Sequence, residues 1–359
     1  GRYNMRVGIL TSGGDCQALN ATMRGLALTL YRNVKNVEII GFIDGYKGLM
    51  YEKYKKMKPK DFYDILNVGG SILGNSRCPF KRMRIIENGF DKVKAMKNTY
   101  KKLELDCLVV LGGNGSIKSA NMLSQEGLNV IALPKTIDND AWGTDYTFGY
   151  SSATAIATRY LDEIKTTAAS HSRVFVIEVM GHKVGHICLS AGIAAGADVI
   201  LLPEIPYDIK VVAKKVKETL KNEKNYAIIV CAEGAISEAD ALMKRKDYKA
   251  KVLARNGRSV AYEVADELSQ EIDAEIRVSC IGHAQRGGNP DSYDREISTR
   301  FGVEGARLII KKHYGEYVVL QGNHVTHIPL EATAGKLKYV DTEGEIVQSA
   351  KLVGISFGE

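Results

Sequence analysis

Residues 107–145 constrain the fold of this chain more tightly than any other stretch. Two short apolar runs, Leu108–Leu111 and Val130–Leu133, have the length and β-branched content of buried parallel strands. Each runs into a loop of the kind that handles phosphate. After the first, Gly112, Gly113 and Gly115 let the backbone turn tightly and bring its N–H groups close to an anion. Ser116 is then expected to open a helix, whose N-terminus favours negative charge. After the second comes Pro134-Lys135-Thr136-Ile137-Asp138-Asn139-Asp140, which sets a cation, a hydroxyl and two carboxylates at the carboxyl end of a strand. Open α/β sheets bind their ligands at that edge.

Taken singly, each loop has an ordinary reading. A GGNGS turn after a strand is a common strand-to-helix connection, and Asp-Asn-Asp is a common solvated turn or cap. Both behind strands in one short stretch are far more specific. The pair points to phosphoryl transfer, with one aspartate as base and another near Mg²⁺.

A chain of 359 residues can bury a sizeable core, and two lobes are the natural expectation. The net charge of +7 raises the question of nucleic acid, but the lysines are scattered and no aromatic-basic RNA motif is present. No nucleic-acid partner is therefore expected, and a basic balance equally suits phosphorylated metabolites. The six cysteines, at 16, 78, 107, 188, 231 and 280, are widely spaced and mostly in apolar surroundings. Reduced, buried thiols are expected rather than a disulfide framework, and because no CxxC pair is present a structural zinc site is not expected. No apolar run reaches membrane-spanning length and no signal-peptide pattern is read, so a cytoplasmic location without a membrane partner is expected.

Other loops carry compatible chemistry. Residues 5–11 read as a first strand, followed by Ser12-Gly13-Gly14-Asp15 and a helix to about Tyr31. This is a second phosphate-loop candidate, although it lacks the Gly-Lys-Ser/Thr ending of a Walker A loop. A strand over 38–44 leads to the glycine cluster of residues 69–77, which ends in Arg77, by itself an ordinary surface arginine. A long helix is expected from Ser151 to about Thr167, then strands over Val174–Met180, Asp198–Glu204 and Tyr226–Glu233. Glu233, a carboxylate at a strand's carboxyl end, suits a hydroxyl ligand. Arg277, His283 and Arg286 bracket one strand end, and two arginines with a histidine donor suit a phosphomonoester. Asp291–Asp294 is expected to cap a long helix, and the tail from about His313 carries no motif.

The combination of GGNGS with PKTIDND resembles the phosphate-donor and catalytic loops of the 6-phosphofructokinases, which use ATP or pyrophosphate. Motif matches run in order from Val7 to about Arg295. The resemblance implies an α/β fold of two similar lobes, each a mostly parallel sheet flanked by helices, with the active site in the cleft between them. The phosphate-donor lobe would comprise residues 1–149 and about 286–339, and the sugar-phosphate lobe about 150–285 and 340–359. The implied reaction is the glycolytic conversion of fructose 6-phosphate to fructose 1,6-bisphosphate with Mg²⁺. In that reading Asp138 is the base and a metal-associated carboxylate, Asp140 supports it, Thr136 touches the transferred group and Arg77 balances its charge. Gly14, Gly113, Asn114, Gly115, Ser116 and Lys135 face the donor. Arg173, Met180, Gly181, His182, Glu233, Arg277, His283 and Arg286 serve the sugar phosphate. Arg173 and Arg277 would come from a neighbouring subunit, which implies a homotetramer or at least a dimer.

Departures from the family pattern keep alternatives open. Ala18 stands where a glycine is usual. Asn114 replaces the usual Mg²⁺-associated aspartate and removes one negative charge, and His182 replaces a catalytic-loop arginine, beside Lys183. Gly115 is the ATP-type residue, leaving room for a nucleotide's α-phosphate, whereas Lys135 is shared by pyrophosphate enzymes and some ATP enzymes. Lys135 attracts either donor while Gly115 decides what fits, which favours ATP. A pyrophosphate-dependent enzyme is the alternative, and a catalytically weakened regulatory subunit a further one. Arg24 is retained from the family's effector site, but Leu28 and Tyr54 replace expected arginines, which weakens that site.

Overall fold

The computed structural model describes residues 3–333 and 335–359; Gly1 and Arg2, at the head of the expected donor lobe, and Ala334 lie outside the described residues. By compactness the chain divides into one unit of residues 1–152 and 286–338 and a second of 153–285 and 339–359.

The chain begins with strand β1 (Met5–Ser12), α1 (Leu19–Asn33), β2 (Val37–Phe42), α2 (Tyr46–Tyr51), β3 (Tyr54–Lys56), α3 (Lys92–Lys102), β4 (Cys107–Gly112), α4 (Asn114–Gln125) and β5 (Val130–Pro134). Helix α5 (Tyr150–His171) leads on to β6 (Val174–Val179), α6 (His186–Ala194), β7 (Val199–Leu201), α7 (Ile209–Asn222), β8 (Ala227–Ala232), α8 (Glu238–Ala241), α9 (Arg245–Ala254), α10 (Val260–Ser269) and β9 (Ile276–Cys280). The first unit is completed by α11 (Ser292–Ile310), β10 (Glu316–Gln321) and β11 (His324–Pro329), and α12 (Glu345–Leu352) belongs to the second.

In the first unit the strand order is β11-β10-β5-β4-β1-β2-β3. Its centre is parallel, and the edge strands β3 and β11 run antiparallel to their neighbours. Every residue of β4 and of β5 is buried, as continuous apolar strands covered on both faces should be. Ser12 pairs with Gly112, and Gly112 with Pro134. The loops after β1, β4 and β5 therefore leave the sheet side by side at its carboxyl edge. The order reverses at β1, which has β4 on one side and β2 on the other, and ligands of open α/β sheets bind at such switch points. The second unit's sheet, β7-β8-β6-β9, is wholly parallel, and Val179 pairs with Ala232 and Glu178 with Cys280. Its carboxyl edge gathers Met180, Glu233 and the residues after Cys280.

Three local differences from the sequence reading have simple causes. Helix α4 starts at Asn114, two residues before the expected Ser116, with Gly113 in extended conformation at its N-cap. The expected strand over 198–204 shrinks to Val199–Leu201, because Pro203 has no N–H to extend a ladder. Cys280 is exposed because β9 is an edge strand, while Cys16, Cys107, Cys188 and Cys231 are buried and Cys78 is half-buried. All six thiols are free.

Helices α1 and α11 approach so closely that a glycine is required on each. A Cβ on Gly302 would lie 2.3 Å from the Thr22 carbonyl oxygen, and one on Gly25 would lie 2.7 Å from that of Thr299. Backbone cannot yield as a side chain can. Gly302→Ala is thus expected to destabilise the fold by about 1–3 kcal/mol through overpacking, despite the better helix propensity of alanine. Urea unfolding measures this. Gly115→Ala, where a Cβ would meet nothing within 4 Å, serves as control and should be neutral or slightly stabilising.

Candidate active site

In the first unit a cationic group surrounds the β1 loop. A Cβ on Gly14 would fall 2.8 Å from a guanidinium nitrogen of Arg77 and 2.8 Å from one of Arg286. The Lys135 ammonium donates to the Gly14 carbonyl, and a Cβ on Gly13 would lie 3.4 Å from it. Three cations from three loops thus converge on a glycine turn whose only side chain is hydrogen. The segment carrying Arg77 is stitched to that turn: Gly13 N–H donates to Ser76 O at 3.0 Å and Asn75 Nδ2 to Gly13 O at 3.1 Å. Arg286, grouped by sequence with the sugar-phosphate set, packs here and donates from Nη1 to Asp15 O at 3.3 Å.

Burial, with the charges of Arg286 and Arg77 nearby, lowers Lys135 to about 8. It is nonetheless predominantly protonated at pH 7. An anion between these groups would relieve the repulsion.

The β5 loop supplies the carboxylates. Thr136 Oγ1 accepts from the Asp138 N–H at 3.0 Å, and Thr136 is buried. Asn139 takes a left-handed conformation (φ 54°), which asparagine tolerates, and its Oδ1 accepts from Thr147 N at 3.1 Å. Asp140 is buried, and that burial together with the charge of Asp138 raises its carboxyl to about 7. Asn114 donates from Nδ2 to Asp140 O at 3.3 Å, joining the two phosphate-type loops. Ser116 Oγ donates to Ser12 Oγ at 2.8 Å, which ties the start of α4 to β1.

Sequence reading missed Lys338, which lies in the tail without motifs. Its ammonium donates to Asn139 Oδ1 at 3.1 Å and to Thr144 O at 2.9 Å, while its N–H donates to Asp140 O at 2.9 Å. Burial lowers it to about 8, against the attraction of Asp145 and Asp140. A residue brought from so far along the chain leaves no local signal. Tyr54, at an expected effector position, instead packs its ring edge-on against Phe42, 6.4 Å between centroids.

In the second unit a cavity of about 710 Å³ opens at the carboxyl edge of the sheet, lined by Met180, His182, Glu233 and His283 among others. His182 is left-handed (φ 56°) and its N–H donates to Glu233 Oε1 at 2.5 Å. Gly181 has φ 151°, and a Cβ there would meet the Val184 carbonyl at 2.4 Å. Met180 N–H donates to the buried Gln285 at 3.2 Å. Two further lining residues, Glu178 and Arg255, were not singled out from sequence. Burial and the charge of Glu233 raise Glu178 to about 7, and Arg255 is clamped by both oxygens of Glu263 at 2.6 and 2.9 Å.

Arg173 and Arg277 are not part of this group. Arg277 lies within β9 opposite Phe175, so the three residues expected at one strand end are split between its two ends. Both arginines pair with Glu275 at the amino edge of the sheet, Arg173 Nε at 3.1 Å.

Asp140 yields a test. Its folded pKa lies above that of an unfolded aspartate, so over the window from about 4 to about 7 the folded chain holds the extra proton and stability falls as pH rises. Asp140→Asn removes this penalty. Its stability relative to the parent should grow from near zero at pH 4 to at most about 4 kcal/mol at pH 8, measured by urea unfolding across pH.

A family model described as Phosphofructokinase matches residues 6–309. The ATP-dependent 6-phosphofructokinase of Spirochaeta thermophila is 47% identical over 356 residues, spanning 98% of this chain and 97% of the relative. Among solved structures, phosphofructokinase from Saccharomyces cerevisiae matches with TM-score 0.79 at 28% identity, covering 92% of this chain, which spans 45% of that longer one. A pyrophosphate-dependent phosphofructokinase from Nitrosospira multiformis matches with TM-score 0.79 at 20% identity, over 95% of this chain and 87% of the other, a likeness of fold.

Proposed function

The chain belongs to the phosphofructokinase family, and we propose on that premise that it transfers the terminal phosphoryl group of ATP to the 1-hydroxyl of fructose 6-phosphate. The observation that carries this reading is the meeting of Arg77, Lys135 and Arg286 around Gly14, beside a loop bearing Asp138 and Asp140. Phosphoryl transfer needs positioning and charge neutralisation more than covalent chemistry, and this group supplies both.

In the proposed step Asp138 takes the proton of the 1-hydroxyl as that oxygen bonds to phosphorus and the bond to the leaving ADP oxygen breaks. Asp140, raised to about 7, limits the negative charge that would repel the incoming phosphate. Thr136 holds the loop through Asp138 N–H, and Arg77 and Lys135 balance the charge of the transferred group. The oxygen donors suit a hard cation: Asp138 carries a carboxylate, and Asn114 commits its amide nitrogen to Asp140 O, which leaves its oxygen for a metal. Mg²⁺, when bound, neutralises the donor phosphates.

ATP is favoured over pyrophosphate because Gly115 sits exposed in the first turn of α4 with nothing within 4 Å of the space a side chain would fill. The sugar phosphate is assigned to the second unit's cavity, lined by Met180, His182, Glu233 and His283, where Glu233 would hold the hydroxyls and His283 the phosphate, with Gly181 shaping the loop between Met180 and His182. Arg173 and Arg277, paired with Glu275 at the far edge of that unit's sheet, are assigned to a neighbouring copy, in a dimer or homotetramer. A cytoplasmic, glycolytic role follows from those substrates.

The direct test is fructose 1,6-bisphosphate formation with Mg²⁺ and either donor. Turnover with ATP and none with pyrophosphate is expected; the reverse would overturn the steric argument, and no turnover with either would overturn the enzymatic reading. Asp138→Asn should lower kcat by about 10²–10⁴-fold with KM for fructose 6-phosphate little changed. Gly115→Asp should fold normally, since an acidic residue suits a helix's first turn, yet raise KM for ATP about tenfold or more through crowding and repulsion of the nucleotide.

A further inference from the structure

A second cluster of chemically active side chains lies at the opposite end of the first unit's sheet. Glu316 opens β10, where it pairs with Ile131 near the amino end of β5. The loops bearing Asn114 and Asp138 leave from the carboxyl ends of β4 and β5, at the other edge of this sheet. Glu316 is 8% exposed, and its two oxygens each meet an imidazole nitrogen: Oε1 meets His313 Nε2 at 3.1 Å and Oε2 meets His327 Nδ1 at 3.1 Å. The ring centroids are 5.0 Å apart. One ligand atom from each of the three residues lies within 4.8 Å of the others.

From this geometry we propose that His313, Glu316 and His327 form a site for a divalent transition ion of the zinc and cobalt class. Two imidazoles and a carboxylate are a recurrent set for such ions, with metal–ligand bonds of about 2.0–2.2 Å. Ligands on a tetrahedral ion at those lengths stand roughly 3.3 Å apart, so the observed nitrogen–oxygen separations need only small side-chain adjustments. The cage is built on ordered backbone. His313 N–H donates to Leu308 O at 2.8 Å just past α11, Gly315 N–H donates to Val130 O at 2.8 Å, and His327 lies within the β10–β11 ladder. His313 is exposed, which leaves the side from which water could complete the coordination.

The ion's role there is to tie the end of α11 to the β10–β11 hairpin rather than to take part in phosphoryl transfer. Without a metal the same three side chains make a clasp on Glu316, in which His327 Nδ1 shares a hydrogen bond with Oε2 at 3.1 Å and His313 Nε2 lies 3.1 Å from Oε1. The two states differ in ring protons, because a bound ion requires both ligating nitrogens to be deprotonated.

The test is Co²⁺ titration of the full-length, chelator-stripped protein, read by the intense visible bands of tetrahedral cobalt, with Zn²⁺ displacement and thermal unfolding as second readouts. The expected result is one tetrahedral Co²⁺ per chain, displaced by Zn²⁺, with a Zn²⁺-dependent rise in Tm. In the double variant His313→Ala/His327→Ala the bands and the Tm rise should be lost, and Glu316→Gln should weaken binding at least about tenfold. Mg²⁺-supported turnover of all three proteins should be equal. No tetrahedral bands in the parent, or bands undiminished in the double variant, would overturn the proposal and leave the clasp alone.

Discussion

The pairing register of three parallel strands governs the rest of the first unit. Because Ser12, Gly112 and Pro134 stand abreast, the loops that follow them emerge as a single group at one edge. A slip of one residue would exchange the faces of every side chain in β4. It would also pull Lys135 away from the Gly14 carbonyl. Both faces of β4 and β5 are covered, so such a slip would force each buried side chain into a space shaped for its neighbour, and overpacking of this kind costs about 1–3 kcal/mol per site. Packing energy in the sheet thus fixes charged groups that repel one another at its edge.

That repulsion is visible in the titration behaviour. Lys135 and Asp140 are both displaced toward their neutral forms, Lys135 by burial beside two arginines and Asp140 by burial beside another carboxylate. Neither arrangement favours folding. Both suit a site that must receive a highly charged phosphate and release it again. Lys338 offsets part of the cost through Asn139 and Asp140, and it does so from a segment that arrives late in the chain.

Much of this was legible in the sequence, for an identifiable reason. Strands β1, β4, β5, β6 and β8 are apolar runs followed by glycine or polar loops, so local pattern and tertiary role agree. The cap of α11 was legible too, because Asp291 accepts from Asp294 N–H at 2.8 Å within one turn. What escaped depends on contacts distant in sequence. Lys338 and Arg255 carry no local signature, and Arg286 could be assigned to a loop only once Gly14 was seen beside it. The start of α4 was misread by two residues because Gly113 and Gly115 obscure the boundary; in the structure Asn114 and Gly115 already lie in the helix.

The close approach of α1 and α11 has a consequence for biosynthesis. The groove on α1 formed by Thr22, Gly25 and Leu26 is synthesised early, whereas the helix that fills it follows nearly the whole of the second unit. Until α11 leaves the ribosome, the first unit lacks both that cover and the β10 partner of β5. The second unit also waits, since Ser356 completes the edge at Val199. Neither unit is a contiguous stretch of chain, so each finishes folding only after the other has been largely made. A nascent chain of this kind carries an uncovered apolar surface through most of its translation, and synthesis rate and chaperone supply set its yield as much as final stability does.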